Sequence, residues 1–278
     1  MKRFPFLHLL LFVTTFISML AAGALWSGVD LLAHPGRIFE GFPFAGTLII
    51  ILLVHELAHY RAARRHGTKA TLPYFIPLPV GFGTLGAFIK MKSPITTRKA
   101  LVDIGASGPI AGFIVSVIAC TVGLYLSQVI TVEKTDSMFS LGDSLLFKIL
   151  ALVVFGVLPE HTDILLHPIA FAGWIGLFVT SLNLIPVGQL DGGHIAFAFL
   201  GEKHRRLSGI LLVALCIMAI FFWPGWAVWA GLMYLLGIKH PPVLYWEETL
   251  DKERKIMGIV SLVIFIITFI PAPFSITF

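Results

Sequence analysis

Long apolar stretches dominate this chain, and their spacing predicts helices. The first runs from Phe4 to Trp26 behind Met1-Lys2-Arg3. It is too long for the apolar part of a leader peptide, which favours a retained transmembrane helix. Ala21-Ala22-Gly23 leaves cleavage as the alternative. After a loop carrying Pro35 and Gly36, a second helix is expected from Pro43 to His66. It is basic at its end through Arg61, Arg64 and Arg65, and Gly67 stops it. Residues Leu72 to Lys92 break the pattern. Pro73, Pro77 and Pro79 forbid a regular helix, and Gly81, Gly83 and Gly86 mark a turn. Ala87 to Lys92 alternates like a strand, so an amphipathic β-hairpin or re-entrant loop is expected. A third helix, Ala100 to Gln128, is rich in small residues. Ser144 to Leu158 is apolar but short for a span, and suits an interfacial or re-entrant helix. A fourth helix, Pro168 to Leu184, breaks at Pro186 and Gly188. Leu207 to Trp223 and Trp226 to Ile238 form a helical hairpin about Pro224-Gly225, and Ile256 to Ile270 is the last span.

The pattern predicts an all-α polytopic membrane protein. It has six to seven transmembrane helices and a membrane-associated β-hairpin. The organisation read from it is a first helix and outer loop (1–42), a transmembrane core (43–204, hairpin 72–92) and C-terminal helices (205–278). Composition agrees. The chain is 57% hydrophobic and 13% charged, whereas soluble domains run at about 25% charged. The net charge of +5 is no nucleic-acid signal, because the basic residues gather at helix ends. Threading seven crossings with the N-terminus inside leaves only Arg37, Lys134 and Lys148, of 20 Lys and Arg, on the outer side. His55, His59 and Asp191 then share the inner side. Cys120 and Cys216 lie in apolar runs and read as small buried residues.

Candidate chemistry sits on the second helix, at Val54-His55-Glu56-Leu57-Ala58-His59-Tyr60. Positions i and i+4 share a helix face, so both imidazoles reach one metal ion, with Glu56 placed to act as a base. Phe44 to Val54 carries no charge, and ionisable groups within an apolar helix are costly and functional by default. Catalytic zinc takes three protein ligands and leaves one position open. Asp103, Asp191 and Glu202 are the acidic candidates for the third. Asp191 is preferred because it follows a broken helix and precedes Gly192-Gly193, whereas Asp103 reads as a cap or ion-pair partner. Asn183 is read as a donor to substrate backbone or oxyanion, against plain helix–helix hydrogen bonding. His194 is read as a residue behind the ligands. Glu160, His161, Asp163 and His167 read as a solvated loop.

Three stretches together resemble the site-2 protease family of intramembrane zinc metalloproteases, peptidase family M50. They are His55-Glu56-Leu57-Ala58-His59-Tyr60, Gly105-Ala106-Ser107-Gly108-Pro109-Ile110-Ala111-Gly112, and Asn183-Leu184-Ile185-Pro186 with Leu190-Asp191-Gly192-Gly193-His194. Ala58 stands where the family usually has Gly. The resemblance implies one Zn²⁺ on His55, His59 and Asp191, Glu56 as the catalytic residue, and a three-helix catalytic core. Residues 74–89 are similar to a bacterial and plastid-type subgroup, without PDZ or CBS insertion. Substrate binding is expected along Gly86, Ala87, Phe88 and Ile89, whose edge would pair with an unwound substrate. The implied activity is hydrolysis of peptide bonds in or near transmembrane segments of membrane-protein substrates. The partners are those substrates and the lipid bilayer, with no nucleic acid. The expected location is a bacterial plasma membrane with the site toward the cytoplasm, an organelle membrane being the alternative. Competing readings are a membrane-embedded metalloprotease cutting loops or signal-peptide remnants, and a non-hydrolytic metal-binding transporter. The lack of an internal inverted repeat weakens the last.

Overall fold

A computed structural model describes residues 5–131, 138–246 and 249–277. The basic residues Lys2, Arg3 and Lys134 used in the orientation argument lie outside these. The fold is mostly helical, with α1 (Phe6–Trp26), α2 (Phe42–Arg65), α3 (Arg98–Tyr125), α4 (Leu145–Phe155), α5 (Pro168–Asn183), α6 (Asp191–Leu200), α7 (His204–Phe221), α8 (Gly225–Leu236) and α9 (Lys252–Thr268). The short strands are β1 (Tyr74–Pro77), β2 (Thr84–Phe88), β3 (Gln128–Thr131), β4 (Met138–Leu141), β5 (Thr162–Leu165) and β6 (Phe274–Thr277). Among the described residues, four helical stretches are long and apolar enough to cross a membrane: Phe6–Trp26, Pro35–Arg65, Arg98–Tyr125 and Asp191–Phe221. The 11 residues of α4 reach about 16 Å, roughly half a bilayer's hydrocarbon core.

The chain forms two compact units. The first takes the described residues to Ser93 with Ala111–Val129 and Ile164–Leu177. In it α1 meets the chain entering α2 at glycines. A Cβ on Gly41 would collide with the Leu20 carbonyl, and one on Gly23 would sit 2.8 Å from the Gly41 oxygen. Without a hydrophobic drive between helices in lipid, such close backbone approach supplies the packing. Nearer its start α1 exposes Phe6, Leu10, Val13 and Ile17, a lipid-facing stripe. Helices α2, α3 and α5 interlock in the same way. A Cβ on Gly176 would meet Ser116 Oγ and lie 3.0 Å from Ile51 Cδ1, and one on Gly173 would lie 2.6 Å from Cys120 N. Phe171 gathers Trp26, Phe44, Phe82 and Trp174 about the start of α5.

Strands β1 and β2 pair antiparallel, Tyr74 opposite Phe88 and Phe75 opposite Ala87, with a shift between Phe75 and Pro77. The second strand begins earlier than the Ala87 to Lys92 alternation suggested. Its ladder stops at Phe88, so Ile89 lies outside it, and pairing resumes at an isolated Ala70–Met91 bridge. The segment is anchored along α1. His8 Nδ1 donates to Pro73 O (3.0 Å), Ser18 Oγ to Leu78 O (2.6 Å) and Trp26 Nε1 to Gly81 O (3.0 Å). His8 and Trp26 are about 27 Å apart along the helix axis at 1.5 Å per residue.

The second unit comprises Pro94–Ile110, Ile130–Asp163 and Phe178–Phe278, as far as these are described. Leu101 and Val102 of α3, Phe197 and Ala198 of α6, and Leu250 form its buried cluster, with Val243, Trp246 and Met257 packed against them. Asp103 accepts from Arg254 Nε (2.8 Å) and Nη2 (2.6 Å), the ion-pair role the sequence favoured for it. Asp251 caps α9 by accepting from Arg254 N at 3.0 Å. The chain's last strand, β6, pairs antiparallel with β4.

Candidate active site and metal centre

Helix α2 forms because an apolar stretch without glycine after Gly46 follows Pro43 in its first turn. It ends at His66, where Gly67 takes φ +68°, and Arg64 and Arg65 complement the carbonyl end of the helix dipole. Between about one and a half and three turns short of that end lie His55, Glu56 and His59, each only 5% exposed. The i, i+4 spacing turns both imidazoles to one side. Their Nε2 atoms are 3.0 Å apart and their ring centroids 4.7 Å apart. Two nitrogens on one tetrahedral zinc, each at about 2.0–2.1 Å, stand about 3.3 Å apart. The pair therefore fits an ion with a few tenths of an ångström of adjustment. Against His55 the neighbouring helix offers a glycine. A Cβ on Gly112 of α3 would come within 3.0 Å of His55 Nδ1, so the ring occupies space that only a missing side chain leaves. Glu56, the next residue along, is turned about 100° from His55 around the helix. Buried imidazole and carboxylate in an apolar helix need compensation by partners or a cation, which is what a metal centre supplies.

In the second unit, α5 ends at Asn183, and residues 184–190 are irregular. Pro186 cannot donate to a helical ladder. Val187 N donates to Ile185 O (2.8 Å) and Leu190 N to Val187 O (3.2 Å), around Gly188 at φ +56°. The chain then re-enters a helix at once, with Asp191 as the first residue of α6. By propensity Gly192-Gly193 would loosen the chain after Asp191. The structure makes both helical and buried, because a Cβ on Gly192 would strike the Leu184 carbonyl and one on Gly193 would lie 2.5 Å from Gly188 O. On the other side, a Cβ on Gly105 of α3 would sit 2.9 Å from Asp191 O and 3.0 Å from His194 Cβ. Asp191 is half-buried at a helix N-terminus. Asn183 is the last residue of α5, and the seven irregular residues between it and Asp191 put the two on separate helices.

Of the strand residues expected to meet substrate, Gly86, Ala87 and Phe88 lie in β2 and Ile89 just after it. Phe88 is 47% exposed. Gly86 has φ +102°, and its N–H is held by Thr84 Oγ1 at 2.9 Å. Glu202 lies exposed in a short 3₁₀ turn, Gly201–Lys203. Among the described residues, the donors of Glu160 to His167 form no group able to share an ion. Sequence reasoning missed His240. Its Nε2 lies 2.6 Å from His194 Nδ1, and the only signal for it was a lone histidine before Pro241-Pro242.

Comparison with known proteins places these features in a family. Residues 43–222 match the model of peptidase family M50. The chain is 33% identical over 243 residues to a probable zinc metalloprotease, EGY2, chloroplastic, of Arabidopsis thaliana, covering 86% of this chain and 43% of the relative. It is 32% identical over 236 residues to probable zinc metalloprotease EGY1, chloroplastic, of the same plant, covering 82% and 42%. The probable zinc metallopeptidase EGY3, chloroplastic, of that plant is 30% identical over 222 residues, covering 70% and 36%. The chain thus spans less than half the length of the curated relatives it matches. With the family match covering most of the chain, and the buried His55, Glu56 and His59 inside it, the chain belongs to peptidase family M50.

Proposed function

We propose that this chain is a zinc-dependent endopeptidase of the membrane interior, hydrolysing peptide bonds in or beside the transmembrane segments of other membrane proteins. The observation that carries this is the buried imidazole pair, Nε2 to Nε2 at 3.0 Å, followed directly by a buried Glu56 on a helix long and apolar enough to span a bilayer. Zinc is the metal that the relatives' names give. We assign it to His55, His59 and Asp191. Two contacts support Asp191 as the third ligand. Helix α3 packs Gly105 against the Asp191 backbone and, two turns later, Gly112 against His55. A carboxylate also offsets part of the ion's charge, which a neutral donor would not.

Bound there, zinc supplies Lewis acidity, lowering the pKa of water toward about 7 and polarising a peptide carbonyl. Glu56 takes the proton from the attacking water and delivers it to the departing amine as the C–N bond breaks. Asn183 donates through its amide to the substrate backbone or the oxygen on which negative charge develops. A helical substrate shields its carbonyls in its own hydrogen bonds, so an unwound segment is required. It pairs with the chain along Gly86, Ala87, Phe88 and Ile89, adding a strand beside β2. In this reading the spans number six to seven, the β1–β2 segment is membrane-associated, and residues 43–204 form the catalytic core. The relatives are chloroplast proteins, which fits an organelle membrane. The loop charges alone suit a bacterial plasma membrane equally, with the site toward its cytoplasmic side.

The test compares wild type with Glu56→Gln on a detergent-solubilised transmembrane substrate and on casein. Wild type cuts the first and spares the second. Glu56→Gln keeps one zinc per chain and loses at least about 10²-fold in rate. Full activity in Glu56→Gln would remove the hydrolytic reading, and efficient cleavage of casein would move the site out of the lipid-shielded interior. Ile89→Pro lowers cleavage of the membrane substrate with zinc content unchanged if the strand edge receives it.

A further inference from the structure

The second unit holds another group of imidazoles that the proposed chemistry does not use: His194 on α6, His204 at the start of α7 and His240 in the proline-rich segment after α8. His240 Nδ1 lies 2.7 Å from Pro241 O. A carbonyl only accepts, so the proton is on Nδ1 and Nε2 carries a lone pair. His194 Nδ1–H therefore donates to His240 Nε2, at 2.6 Å. That separation is too short for two ligands of one zinc, which stand about 3.3 Å apart. The pair is a hydrogen bond from His194 to a neutral His240 ring in its Nδ1–H tautomer.

Segment 238–246 is strapped over α6 by more than this bond. The His240 ring stacks on Phe197 at 4.3 Å and 15°, and Trp246 meets the same ring edge-on at 5.3 Å. Arg98 lies 4.6 Å over Trp246 while its Nε donates to Ala198 O at 2.9 Å. Tyr245 N donates to Thr96 O at 2.9 Å. On α6 the strap touches His194 and Phe197, three residues apart and so on one stripe of the helix, and it covers Gly201 just past the helix end. Asp191, three residues before His194, opens that stripe. A ten-residue helix without a side-chain cap has little stability of its own. Its rotation about its axis is set by what packs on it: the carbonyls behind Gly192 and Gly193, Gly105 and the Leu101–Val102 stretch of α3, and the strap.

We propose that His240 is a positioning residue: by accepting the His194 proton it fixes α6, and with it the Asp191 carboxylate, in the orientation that holds the metal. This rests on Asp191 being a ligand. Burial also pushes His240 down to about 4, with the nearby His204 lowering it further, so the accepting lone pair is present at neutral pH.

Zinc affinity of the purified chain, measured by competition with a chromophoric chelator, tests the proposal. His240→Phe keeps a ring to stack on Phe197 but offers no acceptor, and His240→Gln restores an acceptor oxygen. The expected result is zinc binding weakened about tenfold or more in His240→Phe, recovery of most of it in His240→Gln, and a His194→Phe/His240→Phe double variant no weaker than either single one. Wild-type affinity in His240→Phe, or no recovery in His240→Gln, overturns the proposal. Asp191→Ala is measured alongside. If it alone binds zinc like wild type, the metal assignment fails; if it loses zinc while His240→Phe does not, only the positioning role fails.

Discussion

At the scale of single residues, the site depends as much on absent atoms as on donors. His55 keeps its place because Gly112 leaves room for the ring, a Cβ there coming within 3.0 Å of Nδ1. Alanine leaves the outcome to how far that ring yields. Valine does not, since its γ carbons extend beyond the Cβ and have few rotamers in a helix. Gly112→Val should therefore displace the imidazole and weaken zinc binding about tenfold, as disturbing a ligand's support does elsewhere. The check is zinc retained after dialysis against a chelator, with helix content unchanged by circular dichroism. The ligand face of α2 was legible in sequence because local spacing fixes it: two histidines four apart on a helix share a face in any fold. The role of Gly112 was legible only as smallness, since which side chain needed the space is a tertiary fact. His240 was not legible at all, because its partner lies 46 residues away and nothing in Lys239-His240-Pro241-Pro242 selects it.

Whole elements show where local reading stops. Helix α2 has a stop at Gly67, a basic last turn and an uninterrupted apolar face, all pointing the same way. Helix α6 begins Asp-Gly-Gly, which by propensity reads as a turn, yet the backbone is helical because two glycines admit the carbonyls of residues 184 and 188. Strand β2 was displaced from the alternating stretch, since pairing with β1 rather than side-chain pattern decides where a ladder runs. Strands β4 and β6 lie far apart along the chain, and no local pattern announces them. The start of α9 is held to α3 by the paired hydrogen bonds of Arg254 to Asp103, whose side chains are 24% and 15% exposed. Asp103→Asn keeps the shape and removes the charge, and should cost about 2 kcal/mol, the scale of hydrogen bonds to charged groups in partly buried sites. A lower midpoint of thermal unfolding in detergent, with zinc content preserved, checks it. The strap also responds to pH. With His240 lowered to about 4 by burial, the released segment binds more protons than the docked one between that value and its ordinary range near 6.5. Docking is complete above about 6.5 and weakens progressively as pH falls toward 4. His194, His204 and Arg98 face the strap, and Lys239 and Tyr245 are the other titratable groups within it. Amide exchange at Val243 to Trp246, corrected for intrinsic rates, should quicken across that interval, whereas a flat profile would show that His240 does not titrate with docking.

For the molecule as a whole, the membrane is the solvent that makes the site costly and the loops informative. The exposed apolar stripe of α1 and the exposed Ile210, Val213 and Ile217 of α7 have no place in water. Basic residues are retained on the side from which a chain is inserted, and this bias orients spans better than any helix count. For the proposed spans it predicts Arg37 on the side opposite Lys203, Arg205, Arg206 and Lys239. The arrangement can be read with thiols, because the chain has only Cys120, which is buried, and Cys216, which is exposed within apolar α7. On a background with both replaced by alanine, a single cysteine at Arg37 and one at Lys203 should react with a membrane-impermeant maleimide from opposite faces of sealed vesicles. If zinc joins His55 and His59 to Asp191 as proposed, the Lys203 site labels from the face that also admits a cysteine at Arg65, six residues beyond His59. Labelling of Arg65 and Lys203 positions from opposite faces would separate the imidazole pair from Asp191 by the thickness of the bilayer, and no single ion could then join them.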